Sequence, residues 1–342
     1  MTTSLKRFAA LAVLAVTAAC SGGGAGSAGG ASSAPATKKL TIAVIPKGTS
    51  HVFWQSIHAG AKKAAAELGV DIIWRGPIRE DDRDSQVSEV EGFVSRGVSG
   101  IVLAPLDEAS LQQPVANAQK AGIPAVIIDS GLKGESYVSF VATDNEKGGR
   151  VGGEHLAKVL GGKGKVVLLR YAEGSDSTNK REQGFLDVMK ETKGIQVVSS
   201  NQYGGADVEG AYKKAEAILS NYKKPDGGLG VDGIFCPNES TAFGMLRVLQ
   251  DNGWAGKVRF VGFDASDSLV QALRNGHIHG LVVQDPVKMG YLGVKTLVAH
   301  LKGERIERRI DTGVRVILQA EMDTPEAKEL LKPDLDRWLK KP

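Results

Sequence analysis

Asp129, Arg181, Asn238, Asp264 and Gln284 are the residues of this chain best equipped for recognition chemistry. Each carboxylate can accept from two hydroxyl groups, Arg181 offers a rigid fork of donors, and the two amides each present one donor and one acceptor side. Such a set matches a polyhydroxylated ring, whose hydroxyls donate and accept in a fixed array. Phe53 and Trp54, adjacent in sequence, can lie against the apolar C–H face of that ring at little entropic cost. His51 and Ser130 stand beside members of the set. Two carboxylates flanking Arg181 also offset the cost of burying its charge. Asp129 and Asp264 could instead form a glycosidase pair. They fall among hydroxyl-binding partners, however, and nothing in the sequence signals a raised carboxyl pKa, so no catalytic residue is assigned. Some members of the set could serve only to cap helices or hold loops.

Other chemistries lack their signatures. A dinucleotide site needs G-x-G-x-x-G after the first strand, where this chain has Pro46-Lys47-Gly48-Thr49-Ser50-His51. There is no phosphate loop and no G-x-S-x-G elbow. His277 and His279 have no Cys or third His close by, so no metal is assigned. Cys236, inside the apolar stretch Gly233-Ile234-Phe235-Cys236, reads as a buried structural thiol. No cofactor is expected.

The elements that must position these residues alternate with a βα rhythm. Strands are expected at Leu40 to Pro46, Val70 to Trp74, Gly100 to Ala104, Ala125 to Asp129 and Tyr137 to Ala142. Helices 53–68, 84–96 and 109–121 lie between them. The pattern restarts with helix 146–160, strand Lys165 to Arg170, helix 178–191, strand 195–199, helix 207–221 and strand 232–236. Helix 240–252, strand 258–263, helix 267–275, strand 280–284, helix 287–302 and strand 313–318 complete it. β-branched runs without alternation mark strands buried on both faces, and βαβ order implies parallel sheets covered by helices. So many strands exceed one ordinary open sheet. The expected fold is α/β, with two doubly wound parallel-sheet, Rossmann-like lobes. In such sheets ligands sit at the carboxyl ends of strands, which is where the polar set falls. His51, Phe53 and Trp54 follow the first strand, and Asp129-Ser130 end the fourth. The strand ending near Tyr171 leads to Asp176 and Arg181, and three later strands lead to Asn238-Glu239, Asp264 and Gln284-Asp285.

The whole chain of 342 residues is long enough for two domains of ~150 residues. Its net charge of +4 includes Lys6 and Arg7, and a nearly balanced remainder gives no electrostatic case for nucleic acid. Lys6-Arg7, the apolar run Phe8 to Val16 and small residues up to Ala19 have secretory-signal grammar, and the run is shorter than the ~20 residues that span a bilayer. Thr17-Ala18-Ala19-Cys20 resembles the lipobox of bacterial lipoproteins, which implies a lipid on Cys20 after removal of residues 1–19. Residues 20–37 hold no charge and little bulk and are expected to form a leash of about 22 Å, at ~5–6 Å × √n.

Several segments in order are similar to the periplasmic sugar-binding proteins of ABC importers, specifically the ribose-type family. They are Phe53-Trp54-Gln55-Ser56, Gly122 to Asp129, Thr143-Asp144-Asn145 before a Gly-Gly pair, and Arg181-Glu182-Gln183-Gly184-Phe185. Pro237-Asn238-Glu239, Val261-Gly262-Phe263-Asp264 and Val283-Gln284-Asp285-Pro286 follow. The resemblance covers residues 38–320. It implies a periplasmic binding protein-like fold with a three-stranded hinge crossing near Thr143-Asp144, Gln284-Asp285 and Thr312-Gly313. The lobes would be 38–143 plus 285–312 and 144–284 plus 313–342. It further implies aromatics sandwiching a sugar at Phe53 and Trp54, carboxylates at Asp129 and Asp264, a clamp at Arg181, and amides at Asn238 and Gln284. The family's ribose binders carry Arg where this chain has Ser130 and Asn where it has His51, and their aromatic from the second lobe has no clear match. A roomier pocket follows, suited to a hexose or another polyol rather than ribose. The function implied is a monomeric, lipid-anchored receptor in the periplasm or on the outer face of the cytoplasmic membrane. It would deliver a monosaccharide to an ABC permease without catalysis and without contacting nucleic acid. A sugar or furanose-signal receptor for chemotaxis, or a glycoside-processing enzyme, are the alternatives.

Overall fold

The computed structural model describes residues 39–340, so the readings of residues 1–19, of Cys20 and of the 20–37 leash lie outside the described residues. The chain begins β1 (Thr41–Ile45), α1 (Val52–Leu68), β2 (Asp71–Trp74), α2 (Arg83–Arg96), β3 (Gly100–Leu103), α3 (Gln112–Lys120), β4 (Ala125–Ile128) and β5 (Ser139–Ala142). It continues α4 (Asn145–Val159), β6 (Lys163–Arg170), α5 (Asp176–Glu191), β7 (Gly194–Tyr203), α6 (Val208–Ser220), β8 (Gly233–Phe235), α7 (Glu239–Asp251), β9 (Arg259–Phe263), α8 (Asp267–Arg274) and β10 (Gly280–Gln284). It ends α9 (Pro286–Leu301), β11 (Arg309–Asp311), β12 (Val314–Ile317), α10 (Pro325–Leu331) and α11 (Asp336–Leu339).

Two six-stranded sheets result, with orders β11-β5-β4-β3-β1-β2 and β12-β10-β9-β8-β6-β7. Each strand separates two apolar layers by the two-residue period of its side chains. In the first sheet Ile42, Val44, Val102 and Val126 face one core, while Ala43, Ile45, Ile101 and Ile127 face the other. In the second sheet Val167, Ile234 and Leu281 face one side, and Val166, Phe235 and Val282 the opposite one. Burial on both faces is why these strands read as unbroken apolar runs.

The chain passes between sheets three times, from β5 to α4, from β10 to α9 and from β11 to β12. The third passage accounts for a departure from the all-parallel expectation. β11 pairs parallel with β5, whereas β12 pairs antiparallel with β10 through Gln284 and Val314. The carboxyl ends of both parallel sets face the same cleft. A chain that leaves the first sheet toward the cleft therefore enters the second sheet heading away from it.

Local chemistry sets the element ends. Gly69 closes α1 in the left-handed conformation, φ 67°, with its N–H on the Ala65 carbonyl. Asp285 caps α9 by accepting from the Lys288 N–H, ahead of Pro286 in the first turn. The expected helix 109–121 begins only at Gln112, because Asp107 Oδ1 takes the N–H groups of Ala109 and Ser110 at 2.9 and 2.7 Å and holds a turn there. No described helix is long and apolar enough to cross a membrane.

Candidate functional site

The cleft between the sheets closes over a cavity lined from both sides. Lys47, His51, Phe53, Trp54, Glu80 and Asp129 come from the first lobe, and Tyr171, Arg181, Asn238, Glu239, Asp264 and Gln284 from the second. Its free volume is about 30 Å³, room for roughly two water molecules. A sugar-sized guest can therefore enter only when the walls part. A wider groove of about 580 Å³, walled by the start of α1 and residues 330–336, shares Phe53, Asp264 and Gln284 with this cavity and leads toward it.

The two Asp side chains occupy equivalent places. Asp129 follows β4 and Asp264 follows β9, the third strand in each sheet order. Both hold positive φ, 62° and 68°, the sole non-glycine residues to do so among the described residues. That left-handed turn costs backbone energy for any residue bearing Cβ. Strain of this kind persists where surrounding structure over-determines it.

Arg181 lies between them, on α5. Its Nη2 is 4.0 Å from Asp129 Oδ1, and its Nη1 is 3.9 Å from Asp264 Oδ2. These separations exceed a direct hydrogen bond. The guanidinium is instead anchored by Nε donating to Asn145 Oδ1 at 2.8 Å and Nη1 donating to the Pro237 carbonyl at 3.0 Å. Phe263 supports it from below, with its ring centroid 4.0 Å from the guanidinium carbon. Buried Nη2 of Arg181 and buried Oε1 of Gln284 make no hydrogen bond within the protein. One is a donor and the other an acceptor. A hydroxyl can accept from the guanidinium while donating to the carboxylate 4.0 Å away.

The remaining groups are partly committed. Asp264 accepts from Gln284 Nε2 at 2.6 Å and from the Glu239 N–H at 3.2 Å. Burial nevertheless pushes its carboxyl up, against the pull of Arg181. Asn238 caps α7, its Oδ1 accepting from the Thr241 N–H at 3.3 Å and from the Thr241 hydroxyl at 2.6 Å. Glu239 accepts weakly from the Phe53 N–H at 3.4 Å, across the cleft. Burial pushes its carboxyl to about 7, with His51 opposing and Asp264 assisting. Phe53 and Trp54 meet edge to face at 5.0 Å and 87°. They form two perpendicular walls rather than two parallel faces.

Eight of the nine residues expected to meet a ligand line the cavity, and Ser130 does not. Its hydroxyl accepts from the Ser177 N–H at 3.1 Å and so ties β4 to the start of α5. The sequence offers no clear match for the family's second-lobe aromatic, yet the second lobe does bring an aromatic side chain to the cavity. Tyr171, next after β6, lines the cavity and is 2% exposed. Its place at a strand end is the signal that could have found it. Lys47 was also missed. Its ammonium is 3.4 Å from Asp129 Oδ2 and donates to the hydroxyls of Ser175 and Ser177 at 3.1 Å each. Glu80, from the loop between β2 and α2, sits at no strand end and left no signal. Cys236 is buried and unpaired, and burial raises its thiol.

Residues 42–305 match the family model for a periplasmic binding protein domain. The chain is 30% identical over 285 residues to the ribose import binding protein RbsB of Haemophilus influenzae, spanning 83% of this chain and 94% of that one. An ABC transporter solute binding protein from Agrobacterium vitis, solved with bound D-fucose, superposes with a TM-score of 0.81 at 36% identity, over 85% of this chain and 99% of that one. A carbohydrate transporter solute binding protein from Agrobacterium radiobacter, in complex with D-arabinose, gives 0.79 at 34% identity, over 86% and 100%.

Proposed function

The chain belongs to the periplasmic binding protein domain family, and we propose that it is the extracytoplasmic receptor of an ABC sugar importer, closing two lobes on one neutral pentose or hexose. It is a solute receptor and not an enzyme. The observation that carries the ligand class is Arg181 held between Asp129 and Asp264, with one guanidinium nitrogen left without a partner. Ring hydroxyls would bridge those gaps, while Trp54 and Phe53 cover an apolar edge. His51, Asn238 and Gln284 supply the remaining polar wall, and Lys47 and Tyr171 join the set on the strength of their place in the lining.

Closure removes water from these groups and strengthens each hydrogen bond. Hinge bending at the three passages moves residues 38–143 plus 285–312 against 144–284 plus 313–342. The permease would then read the closed outline. The leader pattern ending at Cys20 supports a lipid tether holding a monomer at the outer face of the cytoplasmic membrane.

Isothermal titration with D-ribose, D-arabinose, D-fucose, D-allose and their single-deoxy analogues tests the reading. One or a few sugars are expected to bind, each losing affinity steeply when a hydroxyl is removed, because a protein group is then left unpaired. Titrations showing no heat with any of them would overturn it.

A further inference from the structure

Glu80 is a carboxylate carried into the cleft by the loop joining β2 to α2. It is 8% exposed, and its two oxygens collect three short contacts. Trp54 Nε1 donates to Oε1 at 2.6 Å, and His51 Nδ1 approaches the same oxygen at 2.7 Å. Tyr171 donates its hydroxyl to Oε2 at 2.6 Å. Trp54, His51 and Glu80 belong to the first lobe and Tyr171 to the second, so the last contact exists only when the cleft is shut. The neighbourhood is shaped around this side chain. A Cβ on Gly48 would stand 2.8 Å from Glu80 Cγ, and one on Gly76 would meet Pro46 at 2.9 Å. Thr49 fixes the loop further by donating its hydroxyl to the Pro77 carbonyl at 3.2 Å. Arg79, one residue before Glu80, pairs with Asp207 of the second lobe at 3.1 Å.

We propose that Glu80 is a positioning residue with two duties: it orients the Trp54 and His51 walls of the binding cavity, and it latches the closed lobes through Tyr171. The proposal rests on the receptor reading above. Hydrogen bonds to an ionised group in a dry site are the strong ones. This one forms in the same step that shuts the cleft, so it lengthens the life of the closed form rather than speeding capture. His51 is faced by Glu80, by Glu239 at the start of α7 and by Asp264 after β9. Burial opposes its charge, yet the Glu80 hydrogen bond and these carboxylates hold it protonated to about 9. Without the Glu80 charge, burial would dominate, and His51 would lose its proton nearer neutrality.

The test follows closure with a dye pair, one dye on each lobe, and release of D-fucose, D-arabinose or D-ribose by stopped flow. Tyr171→Phe and Glu80→Gln are each expected to shorten the closed dwell and speed release about tenfold. The double variant should be no faster than Glu80→Gln alone, because that variant already weakens the Tyr171 contact that Tyr171→Phe removes. Between pH 6 and 8, where Glu239 already titrates in the wild type, release from Glu80→Gln should show an additional pH-dependence from loss of the His51 proton. Unchanged dwell in either single variant, or effects that multiply in the double variant, would overturn the latch. Failure of all three sugars to bind the wild type would overturn the receptor reading instead, and the dye pair still tests the latch without sugar.

Discussion

At Asp129 and Asp264 the backbone itself dictates which substitutions are informative, because both turn through the left-handed region. Asn tolerates that conformation, whereas Ala adds a strain of roughly 1–2 kcal/mol to the loss of the carboxylate. Asp264→Asn is expected to weaken sugar binding about a hundredfold with little change in melting temperature, and Asp264→Ala to lower both. Titration and melting curves on the same samples check this, and undiminished affinity in the Asn variant would remove Asp264 from the site. The charged cluster also sets a pH response. His51 is raised from 6.5 to about 9, where the Glu80 hydrogen bond and charge outweigh burial, so its stabilisation is complete below 6.5 and is lost as the pH climbs to 9. Glu80 is lowered from 4.5 to about 2, where His51, Tyr171 and Trp54 outweigh burial, so its share is complete above 4.5 and is lost as the pH falls toward 2. His51→Gln should flatten the decline in melting temperature between pH 6.5 and 9. An identical slope in the variant would contradict that assignment. Most of these residues were legible because each stands where a strand ends and the switch-point rule applies. Glu80 was not, since Gly76-Pro77-Ile78-Arg79-Glu80-Asp81-Asp82 reads as an exposed polar loop until its packing against residues 46–51 is known.

Helix packing explains how Arg181 is held in place. α4 and α5 touch backbone to backbone: a Cβ on Gly149 would run into the Arg181 carbonyl oxygen, and one on Gly184 into that of Glu146. In the first lobe α1 and α9 approach as closely, with Gly60 against the Val287 carbonyl and Gly290 against that of Ile57. Ala raises intrinsic helix propensity by up to ~1 kcal/mol at such sites, but overpacking costs about 1–3 kcal/mol or more. Gly149→Ala and Gly290→Ala should therefore both lower stability in urea denaturation. Only Gly149→Ala should in addition weaken sugar binding strongly, because it displaces the Arg181 backbone. Equal affinity losses in the two variants would argue against this division. The glycine pair after Asn145 is visible in the sequence, but its purpose is not, because the partner backbone lies on another helix. β11 escaped notice for a different reason. Arg309-Ile310-Asp311 is a short edge strand with no apolar run, recognisable only by its pairing with Phe140 to Ala142.

Across the entire molecule, closure rests on many small ties. Glu108 donates its N–H to the Gly174 carbonyl at 2.9 Å, and Gly131 donates to Asp176 Oδ2 at 2.9 Å. The C-terminal helix α11, beyond the second-lobe helix α10, packs against α1 of the first lobe and adds a further link. A guest that contacts both walls favours the shut form by its differential affinity for it. Small-angle scattering should therefore show the radius of gyration falling when a binding sugar is added, and superimposable curves would exclude hinge closure. The three passages have one more effect, on the order of manufacture. The first sheet lacks its edge strand β11 and its covering helix α9 until residues 286–311 have been made, after every strand of the second sheet except β12. While still on the ribosome, neither half can seal its interior. Both halves are thus completed late and almost together.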